Sequence, residues 1–274
     1  TLNVGGWLAA YPNVDQEGVT DMSQIAGMDG GTFPFIKQYY DWLRSLNPEK
    51  PVVNLEFKYG GRRMKLDMWK GVLHGLAGID GWCWHPKPSF ANAMSSTESM
   101  YEQPLQTYNI QRLINEVMAF QKFPRSPFAV LYPDPVQPRS WYYFDAHNPT
   151  VHALKLMGYA VDYVTEKRLA EGRLEKYSYR ILLLPAADYI KDETLKRVEA
   201  FVRAGGIAIV VGSLPEHDEM GRSRDVGWLK APADAKPATA DIPGTVVYSC
   251  GKGKVWIVPS PRPQADEAAF YRKF

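Results

Sequence analysis

Two hydrophobic periods alternate along the first half of the chain. Ile36, Tyr39, Tyr40, Leu43 and Leu46 recur at helical spacing and predict a helix that Asn47-Pro48 ends. The apolar run Val52 to Phe57 reads as a strand, and Leu2 to Ala10 reads as an earlier one. A further helix is predicted from Trp69, Val72, Leu73 and Leu76 on one face, closed by Gly78. Gly81 to His85, stopped by Pro86, gives a third strand, and Ile110, Leu113, Ile114, Val117 and Phe120 form the stripe of a third helix. Three consecutive βα units imply a parallel sheet covered by helices, either doubly wound or an arc of a (β/α)8 barrel.

Two prolines in "KFPRSP", Lys122 to Pro127, interrupt the pattern, and a new series opens with "FAVLYPDP". It continues with a helix near Val151 to Met157 that stops at Gly158, the strand "AVDYVTE", a polar helix or turn around Leu169 to Tyr177, and "RILLLPAA". Asp192 is expected to cap a helix from Glu193 to Ala204, which Gly205-Gly206 ends before the strand "IAIVVGS". Ser213 to Gly244 reads as a long irregular loop, and "VVYSCGKGKVWIVP" as a hairpin turning at Gly251 to Gly253. The expected division is therefore residues 1–125 and 126–274, each α/β.

Composition narrows what these units do. The 274 residues are 45% hydrophobic and 23% charged, enough for a substantial core. A net charge of +2, without basic runs, argues against a nucleic-acid partner. No apolar stretch approaches the roughly 20 residues of a membrane-spanning helix. Cys83 and Cys250 stand in no metal or redox pattern and read as ordinary thiols, so they set no redox compartment. No ligand spacing suggests a metal or organic cofactor. The start at Thr1, without Met and with strand-like sequence from Leu2, leads us to expect a piece of something longer.

The strand in "KPVVNLEFKYGG" carries two polar residues. Alternation puts Val53, Leu55 and Phe57 on one face, suited to packing against helices, and Val52, Asn54 and Glu56 on the other. Glu56 falls at the C-terminal end, where parallel α/β folds place binding and catalytic groups. It either looks into a cleft or pairs with Lys58, Arg62 or Arg63 to close the loop. At the end of the third strand, Trp82 and Trp84 share a face opposite Cys83 and His85; they are either a sugar platform or core aromatics. Tyr11 ends the first strand, where its hydroxyl could reach a carboxylate.

Taken in order, "GGWLAAYP", "KPVVNLEF" and "HGLAGIDGWCWHP" resemble the sixth, seventh and eighth strand regions of clan A glycoside hydrolases, most of all the family 42 β-galactosidases. The matching residues are Tyr11, Glu56, His74-Gly75, Ile79-Asp80 and Trp84. "FAVLYPDP", "GYAVDYV", "YRILLLPA" and "FVRAGGIAIVVGS" resemble that family's middle domain, an amidotransferase-like α/β fold with a part in trimerisation. The resemblance implies the last three βα units of a (β/α)8 barrel followed by that domain. It implies Glu56 as nucleophile of a retaining β-glycosidase, Tyr11 orienting it, and Trp84, His85 and Asn54 at the substrate. A carbohydrate substrate, a homo-oligomer such as a trimer, and an N-terminal barrel portion outside this chain follow from it.

There are departures from the family. His85 stands where an Arg is usual, and Ala precedes Tyr-Pro where an acid is usual, which opens the sugar specificity. No Gly-x-Cys-x-Gly elbow follows "LLLPAAD", so glutamine hydrolysis is not expected, and "YPDPVQP" lacks the phosphate loop a flavin needs. The family's acid/base lies on an earlier strand; Glu17, Glu98 and Glu102 fall on predicted loops and read as solvated charges. The chain alone is therefore expected to be inactive. The alternatives are a noncatalytic carbohydrate-binding or assembly protein derived from a glycosidase, and an unrelated α/β enzyme.

Overall fold

The computed structural model describes residues 16–28, 36–57, 61–81, 109–114, 116, 125–132, 142–233, 236–237 and 244–259. The chain divides into two compact units, Thr1–Pro124 and Arg125–Phe274.

In the first unit, helix α1 (Gln16–Met22) leads to strand β1 (Ala26–Met28), then α2 (Ile36–Leu46), β2 (Val52–Phe57), α3 (Gly61–Leu73) and β3 (Leu76–Gly81). The strands form one parallel sheet in the order β1-β2-β3. Helix α2 ends at Leu46, before Pro48, and buries Tyr40, Leu43 and Leu46. The C-terminal end of α1 is held by Lys50, whose Nζ donates to the Thr20 and Asp21 carbonyls at 2.7 and 2.8 Å; Asn47 Nδ2 donates to Asp21 Oδ1 at 2.9 Å. A cation at the negative end of a helix is the favourable placement.

Two expectations for this unit are corrected. The sequence pattern missed α1 and β1 altogether, and β1 is the strand paired with β2. It also carried α3 too far. Leu76 follows Val72 at helical spacing, but the chain turns at His74-Gly75, and Gly75 takes φ +96°, a conformation glycine adopts freely. The His74 and Gly75 amides close on the Gly71 and Val72 carbonyls, each at 2.9 Å. Leu76 therefore begins β3, Gly78 lies inside that strand, and Leu73 is left 62% exposed. The helical residues 109–114 place Ile110 against Met68, on which Ile79 also packs, while Leu113 faces outward. The expected strand Leu2 to Ala10, and residues 82–85 of the expected third strand, lie outside the described residues.

Among the described residues the second unit contains a seven-stranded sheet. It contains β4 (Phe128–Tyr132), α4 (Tyr142–Leu156), β5 (Asp162–Thr165), α5 (Glu166–Ala170), α6 (Arg173–Lys176), β6 (Ile181–Pro185), α7 (Asp192–Arg203) and β7 (Ile207–Val211). A 3₁₀ turn (Gly227–Leu229), β8 (Lys236–Pro237), β9 (Val246–Cys250) and β10 (Gly253–Val258) complete it. The order is β5-β4-β6-β7-β10-β9-β8, parallel from β5 to β10 and antiparallel from β10 to β8. Strands β4 and β6 are apolar, and they and β5 are buried on both faces, as parallel strands between layers must be.

Helix α4 starts nine residues before its expected start at Val151, and Pro149 lies inside it. Asp192 does not cap α7. The cap position is Lys191, and the acceptor comes from α5: Glu166 Oε2 takes the Lys191 amide at 2.8 Å and the Thr194 hydroxyl at 2.5 Å. Asp192 instead accepts from Arg224. Helix α7 ends as expected at Gly205-Gly206.

The β9–β10 hairpin presses on that helix end. The Lys252 amide donates to the Arg203 carbonyl at 3.0 Å and the Lys254 amide to the Gly206 carbonyl at 3.2 Å. At Gly253 a Cβ would overlap the Val202 and Gly206 carbonyls, so only glycine fits. Cys250, next to this turn, is a buried free thiol.

Candidate functional site

Glu56 is the sequence-predicted residue on which the site depends, and its backbone lies in β2, the middle strand of the first sheet. The ladder to β3 is irregular there. Asn54 pairs with Ile79 and Phe57 with Gly81, so Leu55 and Glu56 together stand opposite the single residue Asp80. This is a β-bulge at the C-terminal end of a parallel strand. Bulges of this kind re-aim side chains and gather at barrel rims and active sites.

The bulge bears on the face assignment. Val52 and Asn54 are 1% and 0% exposed, whereas Val53 is half-buried. Asn54 Nδ2 donates to the hydroxyl of Tyr40 on α2 at 2.8 Å. The side bearing Val52 and Asn54 is therefore the helix-covered side, the reverse of the expected phase. Simple alternation would tie Glu56 to the same side, but the register slip after Asn54 breaks that inference. Asn54 was expected at the substrate; it lies instead beneath α2, where a buried amide needs a partner and finds one.

Tyr40 is itself buried, and burial pushes its hydroxyl up to about 12; the Asn54 hydrogen bond opposes this, and the Asp67 carboxylate adds to it. The hydroxyl thus stays protonated across the ordinary pH range. His74, one of the positions carrying the family resemblance, joins α3 to α2. Its Nδ1 lies 2.9 and 3.0 Å from the carboxylate oxygens of Asp41, which is buried and also 3.6 Å from Arg44. The neighbouring Asp80 is the residue opposite the bulge.

Tyr11, Trp84 and His85 lie outside the described residues, as do Trp82, Cys83, Glu98 and Glu102. Glu17 is placed, and not as a solvated loop charge: it sits in the first turn of α1 and is 4% exposed. Sequence reasoning missed Tyr40 and Asp41 as polar anchors. Tyr40 was hidden in an apolar stripe, and nothing about Asp41 marked it as the partner of a histidine 33 residues away. Among the described residues no group of three or more His, Cys, Asp or Glu side chains could hold a metal ion.

The fold is shared with family 42 β-galactosidases over nearly the whole chain. The cold-adapted β-galactosidase of Rahnella sp. R3 superposes with a TM-score of 0.77 at 14% identity, covering 98% of this chain and 52% of that one. Gan42B, a GH42 β-galactosidase from G. stearothermophilus, gives 0.72 at 13% identity, covering 96% and 50%. The exo-carrageenase GH42 of Bacteroides ovatus gives 0.66 at 17% identity, covering 95% and 37%. The chain spans about half the length of the two galactosidases and less of the third. No protein-family model matches the sequence, and no curated protein matches it. The likeness is thus one of fold, a glycoside-hydrolase-like α/β arrangement.

Proposed function

We propose that this chain is the nucleophile-bearing part of a retaining β-glycosidase. In this reading β1, β2 and β3 with their helices close a (β/α)8 barrel, and residues 126–274 are an amidotransferase-like association domain. Glu56 attacks the anomeric carbon as the bond to the leaving oxygen breaks, giving a glycosyl-enzyme. A second carboxylic acid, about 5–5.5 Å away, protonates that oxygen and then activates the water that releases the sugar. Tyr11 orients Glu56 and, by hydrogen bonding, keeps it ionised. Trp84 floors the sugar and His85 takes a hydroxyl. Asn54 has no contact with substrate; its bond to Tyr40 braces β2 one residue before the bulge.

The observation that carries the reading is the bulge at Glu56, on the middle strand of a parallel sheet whose fold is that of β-galactosidases. It supplies a reason for a carboxylate there to leave the phase of the helix-bound Asn54. A β-galactoside is the substrate class this fold favours. The acid/base belongs, in the same reading, to a segment beyond these 274 residues that also completes the barrel, and the second unit mediates self-association, with three copies the first arrangement to test.

The chain alone will not turn over 4-nitrophenyl β-D-galactoside; co-expressed with the coding sequence that precedes Thr1, it will. In that complex Glu56→Gln lowers kcat by roughly a thousandfold or more, and a 2-deoxy-2-fluoro galactoside labels the peptide holding Glu56. Turnover that survives Glu56→Gln sinks the nucleophile assignment. Turnover by the chain alone that Glu56→Gln abolishes sinks only the need for a second segment.

A further inference from the structure

One face of the second sheet packs against α7, whose Val198 and Val202 share a core with Leu182, Leu184, Ala208 and Val210. Strand residues of the opposite parity face the other way. On that side the packing leaves a cavity of about 180 Å³. Its floor is made by Phe128 of β4, Leu183 of β6, Ile209 and Val211 of β7, and Val258 of β10. Leu183 and Ile209 are register partners, and so are Val211 and Val258, so the floor runs continuously across three strands.

The wall comes from α4. Thr150, Ala153, Leu154 and Met157 recur at the three- and four-residue spacing of one helix face, Met157 lying just past the helix end. Gly158, at φ +82°, turns the chain there, and the Tyr159 amide closes on the Leu154 carbonyl at 3.0 Å. That turn sets the Tyr159 ring edge-on to Phe128, with centroids 4.7 Å apart. Leu154, Leu183, Val211 and Val258 are buried while Met157 and Tyr159 are exposed, so the cavity has a deep apolar end and a mouth.

Size and polarity together restrict what fills it. Among the described lining residues none is charged, and the hydroxyls are those of Thr150 and, at the mouth, Tyr159. A site this apolar offers water few partners; a cavity of roughly 150 Å³ lined by Leu, Ile and Phe stays dry and accepts benzene. An empty space instead forfeits the dispersion contacts of its wall atoms. A charged or sugar-like molecule would give up hydration without regaining hydrogen bonds. A single aromatic ring matches both volume and polarity, and the Phe128 and Tyr159 rings offer it edge or face contacts. The flexible Met157 thioether at the mouth leaves a way in.

We propose that this cavity is a binding site for a compact neutral aromatic group, a single ring with at most a short substituent. The site is separate from the proposed glycosidase chemistry and does not rest on it. Toluene, phenyl β-D-galactoside and galactose, titrated into the purified 274-residue chain and followed by methyl resonances and thermal melts, test it.

Toluene should bind saturably, raise the melting temperature, and shift the methyls of Leu183, Ile209, Val211 and Val258 more than those of Leu182 and Val210 on the α7 side. Galactose should do none of these. Phenyl galactoside acting on the same methyls points to the aryl group of a larger molecule; toluene binding alone points to a free small aromatic; both sustain the site. Ala153→Leu and Ile209→Phe each add carbon to the cavity and should weaken toluene binding at least tenfold, with circular dichroism reporting that the variant is folded. Absence of saturable shifts up to the solubility of toluene, or unchanged affinity in a folded filling variant, overturns it.

Discussion

Removing one oxygen from Tyr40 tests the idea that a buried hydrogen bond pins β2 beneath α2 just before the bulge. Tyr40 is 1% exposed, Asn54 is 0% exposed, and the bond between them is 2.8 Å long. In Tyr40→Phe the ring and its packing stay. The bond, worth about 1 kcal/mol net, is lost, and part of the buried Asn54 amide goes unsatisfied at about 1 kcal/mol or more. The expected cost is about 2 kcal/mol, roughly a thirtyfold shift in the unfolding equilibrium. With a urea m-value of about 2 kcal/mol/M the first unit's midpoint falls by about 1 M. Trp42 on α2, itself buried, makes fluorescence the natural probe.

The pH profile gives an independent arm. Tyr40 is raised from 10.0 to about 12, so the folded protein holds its proton more tightly than the unfolded chain does. That contribution is complete below pH about 10 and is lost as pH rises towards about 12, amounting to about 2–3 kcal/mol over the interval. Tyr40→Phe should flatten the first unit's stability over that window. The double variant Tyr40→Phe/Asn54→Leu removes both partners and should cost less than the sum of the single changes. A midpoint within about 0.2 M of wild type in Tyr40→Phe, with an unchanged alkaline profile, would refute the reasoning.

Lys50→Met removes the cation from the end of α1 and should cost about 1 kcal/mol, seen as faster amide exchange in α1 with no change in the second unit. Gly253→Ala forces a methyl group into the Val202 and Gly206 carbonyls; we expect a loss above about 4 kcal/mol or insoluble protein, and a soluble variant of normal melting temperature contradicts this. Asp188→Asn should stabilise the protein at neutral pH. Burial pushes this carboxyl up to about 6, against the nearby His217 and with the nearby Glu216. Its favourable contribution is full below pH about 4 and is lost as pH rises through about 6. The gain at pH 7, about 1 kcal/mol once its half-exposed position is allowed for, should vanish near pH 4 in thermal melts.

What the sequence revealed depended on how local the cause was. Helix α2 and strand β2 were legible because their apolar spacing and the Asn47-Pro48 stop lie within the segment itself. The hairpin at Gly251 to Gly253 was legible for the same reason, but its parallel pairing with β7 was not. The start of β3 was missed because Leu76 continues the helical spacing of Val72, and only the left-handed turn at Gly75 decides against it. The cap of α7 was misassigned to Asp192 because the true acceptor, Glu166, comes from another helix.

The site was half legible. Two polar residues in an apolar strand marked β2 as unusual, and the resemblance gave Glu56 a role. The partner of Asn54 and the register slip after it both depend on neighbouring elements, so alternation alone assigned the wrong face.

The contact between the β9–β10 turn and the end of α7 has a consequence for how the second unit opens. The Lys252 and Lys254 amides are bonded to the helix terminus. Hairpin and terminus should therefore behave as one cooperative unit in hydrogen exchange. Protection at those two amides will report the fraying of α7, and any partly unfolded state that releases the antiparallel margin of the sheet must first let go of the helix.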